Sequence, residues 1–353
     1  MLVSDVINSK AIALAVNSDP SNKIPYLGQN WFAPKKKAGL DLKWIKTSEG
    51  LPVTLAASNF DALPALRARD GLTVEKTQMA FFREQMIVSE MDAQEIDRVK
   101  DANDPYLASA IQSIYNDASR LLKGAEVVGE RMIMSLLATN NGTPAINIAS
   151  DGVTYAYNYD PSGKYASTHY ANVSGGTTDW TASTATPVDD IVNAKRALNQ
   201  MGKSPKYILM NSVTFGYLRK SAQIKDLILS QNVTPNVFVS DVTVIEAIKG
   251  LTGLTIVIYD KQYDLNGTAT YFYPSNQFTL LPEEALGNLW HGTTPEERSA
   301  NQMVGADVAI YGGGIAISTV TTNVAPIITT ITASEIVLPS YENMDSTYVV
   351  RVH

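Results

Sequence analysis

Apolar residues recur at steps of three and four along one long stretch of the chain: Leu107, Ile111, Ile114, Ala118, Leu121, Leu122, Ala125, Val128 and Met132. That spacing lays a single stripe along a helix. Asp104 supplies an N-cap, and Pro105 takes the first helical position, where its missing N–H costs nothing. Asn140, Asn141 and Gly142, with Pro144 beyond, stop the element. The pattern predicts a helix over 104–138, roughly 50 Å long at about 1.5 Å per residue. So long a helix with so narrow a stripe needs a partner along its length. Leu107, Ile111, Ile114, Leu121 and Val128 are therefore expected to form the core contact of this spine.

Upstream, residues 1–27 are weakly patterned and read as an extended arm tied down by contacts elsewhere. Residues 38–46 and 71–79 alternate apolar and polar side chains, as half-buried strands do. Between them lies a stretch with two prolines and no period. The whole of 28–80 reads as a long two-stranded ribbon, marginal in water by itself and in need of support from another subunit. Residues 81–103 read as a polar-rich helical approach to the spine.

Downstream, 145–148 and 153–159 alternate again and read as strands of a sheet packed on the long helix. Residues 161–187 are rich in Gly, Ser and Thr and read as loop. A different texture starts at Pro187. Helices are predicted from Val188 to Gly202, over 213–221 and 224–229, and from Val242 to a cap at Gly250. Strands are predicted over 206–210, 254–259, 269–273 and 278–281, with the turn signal Asn266-Gly267 between the second and third of these. From Gly312 the chain returns to β-branched strands at 315–322, 326–332 and 347–352, expected to rejoin the first sheet. The domain reading is an arm (1–27), an extended loop (28–80), a peripheral domain (81–186), an inserted α/β domain (187–311) and return strands (312–353).

Composition narrows the function classes. The 353 residues suffice for two or three domains of about 150 each. The chain is 45% hydrophobic, enough for a sizeable core, and its net charge of −7 argues against a dedicated nucleic-acid binder without excluding a protein that merely encloses nucleic acid, where a non-sticky surface is useful. With no cysteine, disulfides and thiolate metal sites are excluded. The start lacks the features of a signal peptide, and no apolar run of about 18 residues is present, so no membrane partner is expected.

Catalytic motifs do not survive inspection. Gly202-Lys203-Ser204 resembles the end of a P-loop, but Ala197 stands where the first glycine belongs, and the tripeptide ends a helix. Gly312-Gly313-Gly314 reads as a turn. His169, His291 and His353 show no metal-ligand spacing and read as surface or turn residues. Asp189-Asp190 fall where a helix N-terminus favours acids. No catalytic residue, cofactor or metal is expected. The Lys35-Lys36-Lys37 triplet has three readings: a solvated tip, a contact to acidic residues of a neighbour, or an isopeptide bond to a neighbour's asparagine. Trp31, Phe32 and Trp44 are expected beside it as inter-subunit anchors, since aromatic residues often dominate interface energy.

The order of these parts resembles the tailed-phage major capsid protein, an α+β architecture called the Johnson fold. Ser174-Gly175-Gly176-Thr177-Thr178-Asp179-Trp180, followed by Pro187-Val188-Asp189-Asp190-Ile191, is similar to elements of the lambda-type capsid protein E family. So are Thr255 to Tyr259, Gln262 to Gly267, Phe272 to Asn276, and Leu122-Lys123-Gly124 in the spine. The resemblance implies a non-enzymatic shell subunit, assembled in a host bacterial cytoplasm and carried in the virion. It implies hexamers and pentamers, a separate scaffolding protein, a portal, a decoration protein and non-specifically contacted double-stranded DNA. An encapsulin-type nanocompartment shell is the alternative that shares the fold.

Overall fold

The predicted spine is present as a helix spanning Pro105–Ala138. It ends as a left-handed residue, Thr139, is reached at φ 56°. The chain then turns at once through Asn141 and Gly142, both at positive φ, inside a bridge between Asn140 and Thr143. The computed structural model describes residues 9, 12, 24–46, 73–92, 94, 105–150, 152–229, 240–299, 306–322 and 327–353.

In chain order the described elements begin with β1 (Phe32–Lys36), β2 (Asp41–Lys46), β3 (Thr73–Gln78), β4 (Ala80–Val88), the spine α1 (Pro105–Ala138), β5 (Ala145–Ser150) and β6 (Val153–Asn158). Then come α2 (Lys164–Thr168), β7 (Tyr170–Asn172), α3 (Pro187–Gln200), β8 (Tyr207–Met210), α4 (Ser212–Lys220), α5 (Ala222–Leu229), α6 (Asp241–Thr252) and β9 (Thr255–Ile258). The chain continues through β10 (Gln262–Leu265), β11 (Thr268–Tyr271), β12 (Gln277–Leu281), β13 (Gly287–His291), α7 (Pro295–Ser299), β14 (Ala306–Tyr311), β15 (Ile315–Thr321), β16 (Thr329–Tyr341) and β17 (Tyr348–Arg351). Two compact units result. One takes Met1–Leu42, Thr77–Ile133 and Asn288–Ser340; the other takes Lys43–Lys76, Met134–Gly287 and Tyr341–His353.

The first unit is built on a six-stranded sheet in the order β1-β13-β16-β15-β14, with β4 also paired to β16. β16 is long enough to hold antiparallel partners on both sides: β15 over Thr329–Thr321 to Ser334–Ala316, and β4 from Thr329–Val88 to Val337–Ala80. Alternation sends Ile331, with Ile315 and Ile317 of β15 and Val88 of β4, to one face. Ala118 and Leu122 of α1 and Ile12 of the arm close over them. Ser9 is tied beside it, its backbone N–H and hydroxyl both donating to Asp307 of β14 at 2.9 and 2.6 Å.

Residues 80–88 are thus an edge strand, where sequence reading expects a helical approach. Residue-for-residue pairing with β16 and burial of Val88 outweigh the polar Arg83-Glu84-Gln85 that suggested a solvent-facing helix. On α1, Leu122 is fully buried, whereas Leu121 and Val128 flank the contact half-buried. The side chains of Leu107, Ile111 and Ile114 lie outside the described residues, as does Asp104.

The second unit holds a five-stranded sheet, β7-β17-β12-β8-β9. β8 and β9 are parallel, as are β17 and β7, while β12 runs antiparallel to both its neighbours. The parallel β8–β9 pair demands a crossover, and α4, α5 and α6 provide it. Their apolar faces (Phe215, Leu218, Ile224, Val244, Ile248) meet Val188, Ile191 and Leu198 of α3 and the sheet residues Ile208, Met210, Phe278 and Leu280 in one core. Carbonyls at the end of α1 are taken within this unit: Leu137 O accepts from Thr279 Oγ1 at 2.7 Å, and Ala138 O accepts from Gln277 Nε2.

Several expectations change here. β5 and β6 pair only with each other among the described residues, as a separate hairpin. The Asn266-Gly267 turn joins β10 to β11, whereas the expected strand at 254–259 corresponds to β9 and pairs with β8 instead of across the turn. The Gly/Ser/Thr-rich stretch holds α2 and β7. β17 does not return to the first sheet; it fills the slot between β7 and β12. β13 and β14, which composition groups with the α/β region, pair with β16 and β15 in the first sheet.

Candidate functional site

Three places carry the groups from which a function must be argued. The first is the β1 edge. Trp31 and Phe32 are 5% and 0% exposed in the isolated chain, which leaves them almost no surface for a neighbour. β1 puts its first residue inward and the next four outward. The Lys36 ammonium donates to Glu297 Oε1 at 2.6 Å, and Lys35 lies over the Trp290 ring at 5.7 Å. The Lys37 N–H donates to the His291 carbonyl at 2.8 Å. Lys36 thus finds its acid on its own chain. A proline and two lysines on an edge strand also discourage another strand from pairing there.

The second place is the ribbon. β2 and β3 pair with each other and with no other described strand. Trp44 of β2 is buried, its ring 5.7 Å from that of Tyr159. Its Nε1 has no acceptor among the described residues. The span 47–72 between the strands lies outside the described residues.

The third place is a cavity of about 40 Å³ inside the first unit, lined among others by Tyr26, Glu126, Glu130, Leu289, His291 and Glu335. Glu130 faces it from α1 and accepts the backbone N–H groups of Leu27 and Gly28 at 3.1 Å, fastening the turn that precedes β1. Burial, and after it the charges of Glu126 and Glu130, hold the Tyr26 phenol well above its ordinary value. His291 and Glu335 face one another, Nδ1 3.2 Å from Oε1. Burial raises the Glu335 pKa and His291 partly offsets it. The remaining oxygen, Oε2, has no partner among the described residues. Sequence reading places His291 at a surface or turn; the sheet encloses it instead, because β13 lies between β1 and β16.

The other candidate chemistry resolves into structure. Gly202, at φ 79°, receives the end of α3, and the Lys203 N–H returns to Leu198 O at 3.0 Å, a helix C-terminal motif. Asp189 and Asp190 sit in the first turn of α3, where Asp190 accepts from Trp180 Nε1 at 2.9 Å. Gly312 and Gly313 form the turn between β14 and β15. His169 is buried and stacked on Tyr165, while His353 lies 3.0 Å from Asp179. Thr181, His353 and Gly175 all donate to Asp179, which holds its carboxyl far below the usual range despite burial. Among the described residues no cluster of His, Asp and Glu has the geometry of a metal site, and no helix is long and apolar enough to cross a membrane.

The whole-chain fold is that of phage capsid proteins. The putative capsid protein of a prophage from Escherichia coli CFT073 superposes with a TM-score of 0.58 at 13% identity, covering 98% of this chain and 99% of that one. A phage-related protein from Bordetella bronchiseptica RB50 gives 0.55 at 11% identity over 98% and 97%. The capsid of cyanophage A-1(L) gives 0.51 at 13% identity over 95% of each chain. No curated protein sequence matches. These likenesses define the class as the α+β Johnson fold of tailed-phage capsids. Within it, the chain belongs to the phage major capsid protein E family, whose profile matches residues 8–312. It is a structural subunit of a phage capsid, a virion component, and not an enzyme.

Proposed function

We propose that copies of this chain close into hexamers and pentamers and build an icosahedral shell around double-stranded DNA. A separate scaffolding protein, a portal and a decoration protein complete the particle, which forms in the cytoplasm of the bacterial host. Head-to-tail contacts between identical subunits close into rings, and an acidic chain suits a wall facing DNA. The observation that carries the reading is the β2–β3 ribbon, joined to no other described strand. A two-stranded ribbon is marginal in water, and a neighbour's surface would add to the support that Leu42 and Trp44 find within their own chain.

Electron microscopy of the chain co-expressed with its scaffold tests this. Closed shells are expected from the intact chain. Replacing 47–72 by a short Gly-Ser connection is expected to leave a folded subunit that forms no closed shell. Normal shells from that variant would overturn the ribbon's role. The deletion spares residues 30–46, since Trp31, Phe32 and Trp44 are internal to the subunit.

A further inference from the structure

The second unit contains two Asn-Gly turns of the same backbone type. Asn141-Gly142 has φ values of 48° and 86°, and Asn266-Gly267 has 54° and 81°. Positive φ at both central residues defines the tight hairpin turn that Asn-Gly favours. Asn-Gly is also the dipeptide in which a backbone nitrogen most readily attacks a side-chain amide, because glycine leaves that nitrogen unhindered.

Their surroundings differ. The first turn is clamped by two backbone hydrogen bonds between Asn140 and Thr143, at 2.8 and 3.0 Å. Asn141 Oδ1 accepts from Arg351 at 2.7 Å. Gly142 is packed so closely on Tyr170 that an added Cβ would lie 2.7 Å from its ring. The second turn caps the β10–β11 hairpin, which pairs with no other described strand and is exposed from Asp264 to Ala269. An exposed hairpin tip that no further strand holds opens locally at little free-energy cost. At its tip the Gly267 N–H donates to Asp264 Oδ1 at 2.6 Å. A carboxylate is therefore hydrogen-bonded to the proton that the attacking nitrogen must lose.

We propose that Asn266 is a self-modification site, deamidated through the Gly267 nitrogen with Asp264 as the proton acceptor. As Gly267 N bonds to Asn266 Cγ, its proton passes to the Asp264 carboxylate and then to the departing side-chain nitrogen. The Cγ–Nδ2 bond breaks and ammonia leaves, giving a five-membered succinimide. Water opens that ring to aspartate or isoaspartate. No oxidant, metal or enzyme is needed, and each converted copy gains one negative charge beside Asp264.

The test is peptide mass mapping of the full chain held for days at mildly alkaline pH and physiological temperature. Conversion at position 266 is expected at least about tenfold faster than at 141, the ratio that an opening cost lower by about 1.4 kcal/mol produces. Equal rates at the two turns, or no conversion at 266, would overturn the proposal. Asp264→Asn keeps a hydrogen-bond acceptor but not a base, and is expected to slow conversion at 266 while leaving 141 unchanged. An unchanged or faster rate at 266 in that variant would remove Asp264 from the mechanism. Gly267→Ala, at a left-handed position, serves as the blocked control.

Discussion

His291 of β13 and Glu335 of β16 lie side by side with Nδ1 and Oε1 3.2 Å apart, and their side chains are 5% and 2% exposed. Such a pair is costly to hold, because neither group recovers from the sheet the hydration it gives up. It also sits where the strand order joins β1 to β13 and β13 to β16.

Burial raises the Glu335 pKa above its unfolded value. A carboxyl shifted that way contributes stability fully present below its unfolded pKa and lost as pH rises through the folded one. Glu335→Gln removes the ionisation. Its melting temperature relative to the parent is expected to climb as pH is raised from acid to neutral, and a difference independent of pH would contradict the assignment.

Gly314 is packed against the same imidazole. A Cβ built there would lie 2.1 Å from His291 Cγ and 2.3 Å from Nδ1. The ring is enclosed apart from the small cavity it lines, and any shift into that space disturbs its pairing with Glu335, so Gly314→Ala is expected to destabilise the subunit by about 1–3 kcal/mol. Chemical denaturation measures this; an unchanged midpoint would show that β13 can shift.

Leu121 and Leu122 are adjacent on the spine but unequal, one half-buried and the other at 0% exposure in the cluster with Ile315, Ile317 and Ile331. Leu122→Ala is expected to cost about 2–5 kcal/mol, as other buried leucine truncations do. Leu121→Ala should cost less than half as much. Equal losses in urea melts would mean that the helix is rotated on the sheet.

The spine was legible because period, N-terminal proline and stop signals agree over a long stretch, as do β8, α3 and α6 in the second unit. What stayed hidden depends on pairing between distant residues. Phe32-Ala33-Pro34-Lys35-Lys36 has no strand alternation and is a strand only because β13 pairs beside it. β4 carries three consecutive polar residues because it lies at an edge. The Lys35-Lys36-Lys37 triplet is open to a solvated tip, a neighbour's acids or an isopeptide bond; the acid that Lys36 meets, Glu297, is far along its own chain, and no local pattern announces it. The cavity joins Tyr26, Glu130, His291 and Glu335 from four segments, and only the isolated burial-prone setting of β13 could have hinted at it.

One consequence follows from β17. The second unit's sheet has Tyr348–Arg351 in its interior, between β7 and β12. Without β17 this sheet is split in two, with Phe278 and Leu280 lacking Val350 across the gap. Loss of that one strand leaves β7 and β12 as open edges, each a template for pairing with a foreign strand, so β17 protects the sheet as well as completing its core.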